Sequence, residues 1–327
     1  MTGISDSFNR PINYLRISVT DRCNLRCVYC MPADGINPLP HGDILSYEEV
    51  SLIARSAAEL GIKKVRITGG EPLVRANLSN LVRMLSEIKE INDLSLTTNG
   101  VLLSAQAREL KAAGIKRVNI SLDSLRPERF HKITRAGKLE DVLQGIRAAG
   151  AAGFNPVKIN MVVMRGINDD ELIDFARKTL EEGWHVRFIE FMPVGEKQQE
   201  AGERFIPISE IMGRIESLGA LEPYILDGNG PAKYFRLPQA RGTIGFISPV
   251  SEHFCFKCNR LRLSAEGKLL PCLLSDAEMD LRGPLRRGAS VDEIKLLLGQ
   301  AIAAKPQGHK LEVGTTRNNR NMCQIGG

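Results

Sequence analysis

The chain has 327 residues, 43% hydrophobic and 25% charged with a single Trp, a composition ordinary for a globular protein with a sizeable core. A net charge of +6, from 44 basic and 38 acidic residues, is too mild for a nucleic-acid coat and suits an enzyme that holds a small polyanion. No apolar run reaches bilayer length and the opening MTGISDSFNR lacks a signal-peptide core, so we expect a cytoplasmic protein with neither a nucleic-acid nor a membrane partner.

Strand-like runs recur along the first two thirds: YLRISVT (14–20), KKVRITG (63–69), DLSLTTN (93–99), RVNISLDS (117–124), PVKINMVVM (156–164) and HVRFIEFMP (185–193). Helical patterns separate them. In SYEEVSLIARSAAELG, Val50, Ile53, Ala54, Ala57 and Leu60 share one face, Ser46 and Glu49 form a capping box, and Gly61 ends the helix. Further helices are expected near 78–89, 104–113, 139–152 and 169–182. Six strand–helix units in a row predict a parallel sheet.

Alternation within the strands says more. One face carries Leu15, Ile17, Val19, Val65, Ile67, Leu94, Leu96, Val118, Ile120, Leu122, Val157 and Ile159, and should pack on the helices. The opposite face carries Arg16, Ser18, Thr20, Arg66, Thr68, Ser95, Thr97, Asn119, Ser121, Asp123, Lys158 and Asn160. A closed eight-stranded barrel fills its interior with branched aliphatics. A polar, partly cationic inner face instead implies a cavity for a polar ligand in an incomplete (β/α)6 TIM-type barrel. The alternative is a sheet with one solvated face, which is uncommon for parallel strands.

The pattern breaks after the sixth strand. A helix near 207–218, irregular segments and a last helix near 291–303 are too short to form a second enzyme. We therefore expect a partial-barrel domain over 1–195 and a C-terminal region, 196–327, that closes its open side.

Seven cysteines fall at 23, 27, 30, 255, 258, 272 and 323. Clustered cysteines in a reducing compartment more often bind metal than form disulfides. The first triad, in TDRCNLRCVYCMP, follows the first strand, where βα folds place their active sites. Zinc would ask for a fourth nearby ligand, and the closest histidine is His41. Three cysteines on a tight loop can instead hold three irons of a 4Fe–4S cluster and leave the fourth open. In TGGEP (68–72), two glycines let the backbone come close to a ligand, while Glu71 and Pro72 fix the turn.

The second triad, Cys255, Cys258 and Cys272, reads by spacing alone as a zinc-ribbon half-site with His253 or Cys323 as a fourth ligand. Arg260 and Arg262 alternate beside it and project to one side, an arrangement suited to phosphate.

C-x3-C-x2-C after the first strand, with Tyr29 before the last cysteine, resembles the signature of the radical S-adenosylmethionine (SAM) family. That resemblance implies that the open iron is chelated by the amino and carboxylate groups of SAM, and that Tyr29, Gly70, Ser121 and Met192 contact SAM. Taken together, SVTDRCNLRCVYCMP, RITGGEPLVR, LTTNG, VNISLDS, RFIEFM, the CxxCNRLRLS segment and the final Gly326–Gly327 resemble the GTP 3′,8-cyclase family, which opens molybdenum-cofactor biosynthesis. The likeness runs from about residue 9 to the last residue.

It implies two 4Fe–4S clusters, held by Cys23, Cys27 and Cys30 and by Cys255, Cys258 and Cys272, with the second engaging the guanine of GTP. It implies GTP contacts at Arg16, Arg66, Thr97, Lys158, Arg260 and Arg262, and catalytic roles for the first triad and for Gly326 and Gly327. The implied reaction takes the ribose C3′ hydrogen of GTP with a 5′-deoxyadenosyl radical, after which C3′ bonds to C8. Implied partners are an electron-donor protein and cyclic pyranopterin monophosphate synthase, which acts on the product, with a homodimer allowed. Two rival readings are a radical SAM peptide-modifying enzyme and a zinc-ribbon nucleic-acid-binding protein. The segment ADGINPLPHGD and Cys323 have no counterpart in the family pattern.

Overall fold

The computed structural model describes residues 3–192, 201–226, 230–309 and 320–326. Six parallel strands alternate with helices: β1 (Tyr14–Ser18), α1 (Tyr47–Glu59), β2 (Lys64–Thr68), α2 (Leu78–Ser86), β3 (Asp93–Thr98), α3 (Leu103–Ala113), β4 (Arg117–Ser121), α4 (Pro127–Thr134), α5 (Leu139–Ala151), β5 (Val157–Val163), α6 (Leu172–Glu181) and β6 (His185–Glu190). The expected capping box is made: Ser46 Oγ accepts from Glu49 N at 3.1 Å and Glu49 Oε2 from Ser46 N at 2.7 Å. Helix α4 was not expected, since its PERFHKIT sequence buries only Phe130, Ile133 and Thr134 and has no long periodic face.

The remaining elements are α7 (Ala201–Arg204), α8 (Ile208–Ile215), β7 (Glu222–Tyr224), β8 (Lys233–Arg236), β9 (Thr243–Ile247), β10 (Arg260–Leu263), β11 (Lys268–Leu270), β12 (Met279–Asp280), α9 (Arg282–Arg286) and α10 (Val291–Ala303). They do more than cover an open side. All twelve strands form one sheet in the order β12-β11-β10-β1-β2-β3-β4-β5-β6-β9-β8-β7. Pairing is parallel from β10 through β9, so the C-terminal third lengthens the sheet at both edges of the six-strand unit. Both outer ends turn antiparallel. Apart from β10, where Arg260 and Arg262 alternate, the short runs that supply these strands gave no clear alternating signal.

The aliphatic face packs as its pattern requires. Leu15, Ile17, Val19, Val65, Ile67, Leu94, Leu96, Val118, Ile120, Leu122 and Ile159 are buried in one core with the inner faces of the helices, and Val157 packs at its margin. Each such side chain contributes about 1.5–3 kcal/mol by leaving water. The polar face is buried too, including Arg16, Ser18, Thr20, Arg66, Thr68, Ser95, Asn119, Asp123 and Lys158. A solvated face is therefore excluded.

Candidate active site

The polar face and both cysteine triads meet at one cavity of about 300 Å³. Its walls include Cys23, Cys27, Tyr29, Cys30, Gly70, Ser121, Met192, Arg16, Arg66, Thr97, Cys255, Cys258, Arg260, Arg262 and Cys272. Lys158 is the exception: it lies on the same face, two residues before Asn160, but is not part of the wall. Its ammonium sits 5.1 Å from the Tyr234 ring centroid, and burial together with Arg187, Arg117 and Arg66 lowers it to about 6. Gly327 and the expected boundary at 195/196 lie outside the described residues.

Register explains the cationic wall. Parallel pairing sets Arg16 opposite Arg262 on one side and Arg66 on the other, so three arginines stand abreast on β10, β1 and β2. Neighbouring strands lie about 4.8 Å apart, so these charges are forced together. Burial and then Arg262 hold Arg16 well below its ordinary value. Arg66 donates to Ser95 Oγ at 3.1 Å, and Arg187 to Asn119 Oδ1 at 2.6 Å. Among the described residues, Arg66, Arg187 and Arg262 make no ion pair with a carboxylate, and all three line the cavity. Clustered buried guanidiniums of one sign are costly without an anion.

The first triad's loop is held from several sides. Arg26 N and Val28 N donate to Thr134 O and Ile133 O, both at 2.9 Å, so the unexpected α4 positions the loop. Cys23 Sγ accepts from Leu25 N at 3.4 Å and from Asn99 Nδ2 at 3.9 Å. Burial raises the Cys23 thiol to about 11 and the Cys27 thiol well above its usual value. Buried thiols with few donors suit a cation that would deprotonate them.

Gly70 has a physical reason the sequence could not show. A Cβ there would lie 2.4 Å from Arg22 O and 2.6 Å from Asp21 O. What approaches so closely is the triad loop itself: Gly70 N donates to Thr20 O at 2.7 Å and Glu71 N to Arg22 O at 2.8 Å. Glu71 is 1% exposed and accepts from Leu73 N, Thr98 Oγ1 and Asn99 N at 3.0, 2.7 and 2.6 Å. Burial lifts its carboxyl to about 7 against those three donors. Thus Glu71 ties β3's end to the turn on which the triad loop rests.

Tyr29 donates to Asp123 Oδ2 at 2.7 Å, and Val162 N to Asp123 Oδ1 at 2.8 Å. Burial pushes Asp123 up to about 6 and Tyr29 well above its usual range. Asp123 and Asn160 were legible as part of the polar face. Asn99, Arg187, Lys305 and His309 were missed as cavity residues; for Arg187 the signal was alternation on β6, opposite Asn160 in the register.

At the second triad, Cys258 N donates to Cys255 O at 3.0 Å in a short turn, and Cys272 follows β11. Burial acts to raise the Cys258 thiol, but Arg260 and Lys305 outweigh it and bring it down to about 7. Lys305 is itself fixed by donating to Pro271 O at 2.5 Å and Arg260 O at 2.9 Å. Arg10 ties the segment to the N-terminal region through Cys255 O at 2.7 Å. Cys323 stands near Cys30, so this fourth-ligand candidate for the second triad lies beside the first triad instead.

The donor sets fit iron–sulfur clusters: each offers three thiols on one wall, the first within reach of amide donors, the second beside cations that favour thiolate. Among the described residues no three such side chains already converge on a finished ion site. The C-terminal segment enters the same space. Gly326 O accepts from Arg16 Nη2 at 2.9 Å and from Arg262 Nη1 at 3.2 Å.

Comparison with known proteins matches residues 17–179 to the radical SAM superfamily and residues 184–311 to the family described as Molybdenum Cofactor Synthesis C. GTP 3′,8-cyclase of Pelotomaculum thermopropionicum is 53% identical over 99% of this chain and 100% of its own length. That of Moorella thermoacetica is 54% identical over 99% and 100%. Among solved structures, Streptococcus suis SuiB bound to S-adenosylmethionine shares the fold, with a TM-score of 0.61 and 16% identity over 86% of this chain. The chain spans 65% of that structure. Identity above one half, sustained across whole chains on both sides, leaves one conclusion: this chain belongs to the radical SAM superfamily and, within it, to the GTP 3′,8-cyclase family.

Proposed function

We propose that the chain converts GTP to 3′,8-cyclo-7,8-dihydro-GTP, the first step of molybdenum-cofactor biosynthesis, with SAM and two 4Fe–4S clusters. The observation that carries this reading is the row Arg262–Arg16–Arg66 on the wall of a cavity that both cysteine triads also line. A triphosphate is the kind of anion that suits such a row, and a bidentate arginine fork matches its oxygens. In this reading β1–β6 form the incomplete (β/α)6 barrel of a domain over 1–195, and 196–327 complete the cavity. Among the described residues no helix is long and apolar enough to cross a membrane.

When bound, the reduced first cluster would supply the electron that cleaves SAM to methionine and the radical that takes the C3′ hydrogen, and one further electron and a proton, from the electron donor and water, would complete the dihydro product. The chain's own residues orient and shield. Cys23, Cys27 and Cys30 hold that cluster, and Tyr29, Gly70, Ser121 and Met192 line the place for SAM. Cys255, Cys258 and Cys272 would hold the second cluster, which would supply a ligand site for the guanine. Arg16, Arg66, Thr97, Arg260 and Arg262 fix the phosphates and ribose, so that C3′ faces the first triad and C8 faces C3′. Positioning of this kind can account for several kcal/mol of the barrier. Lys158 stands next to the wall with its ammonium lowered to about 6, and a bound triphosphate would raise it and so restore its positive charge. Walls that exclude water keep the carbon radical from side reactions. An electron-donor protein reduces the cluster, and cyclic pyranopterin monophosphate synthase takes the product.

The test is an anaerobic assay with GTP, SAM and a reductant, alongside metal analysis. Roughly eight irons per chain are expected, together with 5′-deoxyadenosine and the cyclised nucleotide. Cys27→Ser should abolish 5′-deoxyadenosine. Zinc in place of iron at either triad, or 5′-deoxyadenosine formation that survives in Cys27→Ser, would overturn the assignment.

A further inference from the structure

The seventh cysteine belongs to neither triad in the sequence. In the fold it stands beside the first. Cys323 is 2% exposed, in the 3-10 turn Met322–Gln324, and its thiol stands near enough to perturb the thiols of Cys30 and Cys23. All four thiols line the same cavity. Tertiary contacts on both sides fix this position. Arg320 pairs with Glu266 and Glu278, each at 2.6 Å, and Asn321 N donates to Gln324 Oε1 at 2.8 Å. Beyond the turn, the Gly326 carbonyl is clamped by Arg16 and Arg262. The thiol is thus presented to the triad by a braced segment.

Three cysteines leave one iron of a 4Fe–4S cluster without a protein ligand, and a fourth thiol is already at hand. We propose that Cys323 is an exchangeable fourth ligand of the cluster held by Cys23, Cys27 and Cys30, bound to its open iron while SAM is absent and displaced when SAM binds. This rests on the reading of the first triad as a cluster site. The exchange moves no electrons: the iron–Sγ bond breaks, the amino and carboxylate groups of SAM take its place, and the released thiolate gains a proton from water. A ligand tethered nearby has a high effective concentration, so it guards the iron against oxidative loss. The same ligand reduces apparent SAM affinity, because SAM must find the fraction of protein in which the iron is free.

The experiment uses full-length protein carrying Cys255→Ala, Cys258→Ala and Cys272→Ala, so that only the first cluster is present, with and without Cys323→Ala. Cluster content after reconstitution, conversion to a 3Fe–4S species under ferricyanide followed by electron paramagnetic resonance, and the SAM dissociation constant are read, with a thermal melt. Without SAM, the parent should keep four irons while Cys323→Ala loses one readily; with SAM, both should be protected. SAM should bind the Cys323→Ala protein at least about threefold more tightly. Cys323→Ser, closer in shape, serves as the second variant should the alanine variant melt early.

Equal iron loss and equal SAM affinity would overturn the proposal and leave Cys323 as a packing residue, whose removal alters only the melt. A parent that assembles no cluster would instead sink the cluster reading of the first triad, and this proposal with it.

Discussion

Arg16 and Gly326, 310 residues apart, meet in the cavity: the Arg16 Nη2 group donates to the Gly326 carbonyl oxygen at 2.9 Å. The tail therefore contacts two of the arginines assigned to the triphosphate, since Arg262 donates to the same oxygen. Gly326 has φ +71°, and a Cβ would lie 2.8 Å from Thr68 Cγ2, so only glycine fits there without strain. Deleting Gly326 and Gly327 should leave iron content and the melt unchanged while GTP conversion falls by about tenfold or more, a loss of some 1.4 kcal/mol or more of transition-state stabilisation. Unchanged turnover would reduce the tail to a passive end.

The second triad should separate substrate binding from SAM cleavage. Cys272→Ala removes one proposed cluster ligand near Arg260 and Arg262. GTP binding and cyclisation should collapse while some uncoupled 5′-deoxyadenosine persists. A structural zinc at this triad would give a different result: loss of the fold in the C-terminal third and of both activities together. One anaerobic assay of both products, with a melt, decides between them.

Glu71 is surrounded by donors, so its replacement by the isosteric amide should be costly. In Glu71→Gln, the new NH2 must face either Asn99 N or the Leu73 N and Thr98 Oγ1 pair, leaving a buried donor unsatisfied. The expected cost is about 1–3 kcal/mol, visible as a lower melting temperature. Because Glu71 N also braces Arg22 O in the triad loop, SAM cleavage should fall as well. A Gln variant as stable as the parent would show that the three bonds contribute little.

His185 gives a pH signature. Burial, then Lys158, Arg236 and Arg187, lower its imidazole to about 4, and its Nδ1 lies 2.9 Å from Thr243 Oγ1. The unfolded chain takes up this proton as pH falls through about 6.5, the folded chain only near 4, so stability should drop across that interval. His185→Gln does not titrate. It should lose about 1–2 kcal/mol less than the parent between pH 7 and pH 5, after allowance for the partial exposure of the ring. Parallel pH profiles in urea unfolding would remove His185 as the cause.

By itself the sequence determined the order of β1–β6 and of most helices between them, the two-faced character of β1–β5, and the clustering of the first triad, because each is written in local spacing: period two in a strand, three to four in a helix, three cysteines in eight residues. It also determined that Arg16, Arg66, Thr97, Ser121 and Asn160 share a face, since alternation needs no partner strand. It could not bring β10 beside β1, because that pairing joins residues some 245 positions apart and depends on register, which decides that Arg262 completes a row with Arg16 and Arg66. Nor could it reveal that Gly70 is required by the carbonyls of Asp21 and Arg22, that Lys158 stays out of the cavity wall, or that Cys323 comes to rest near the first triad. These are matters of distance between chain-remote groups, fixed only when burial of the aliphatic face forces the sheet to close its register and carry the tail into the cavity.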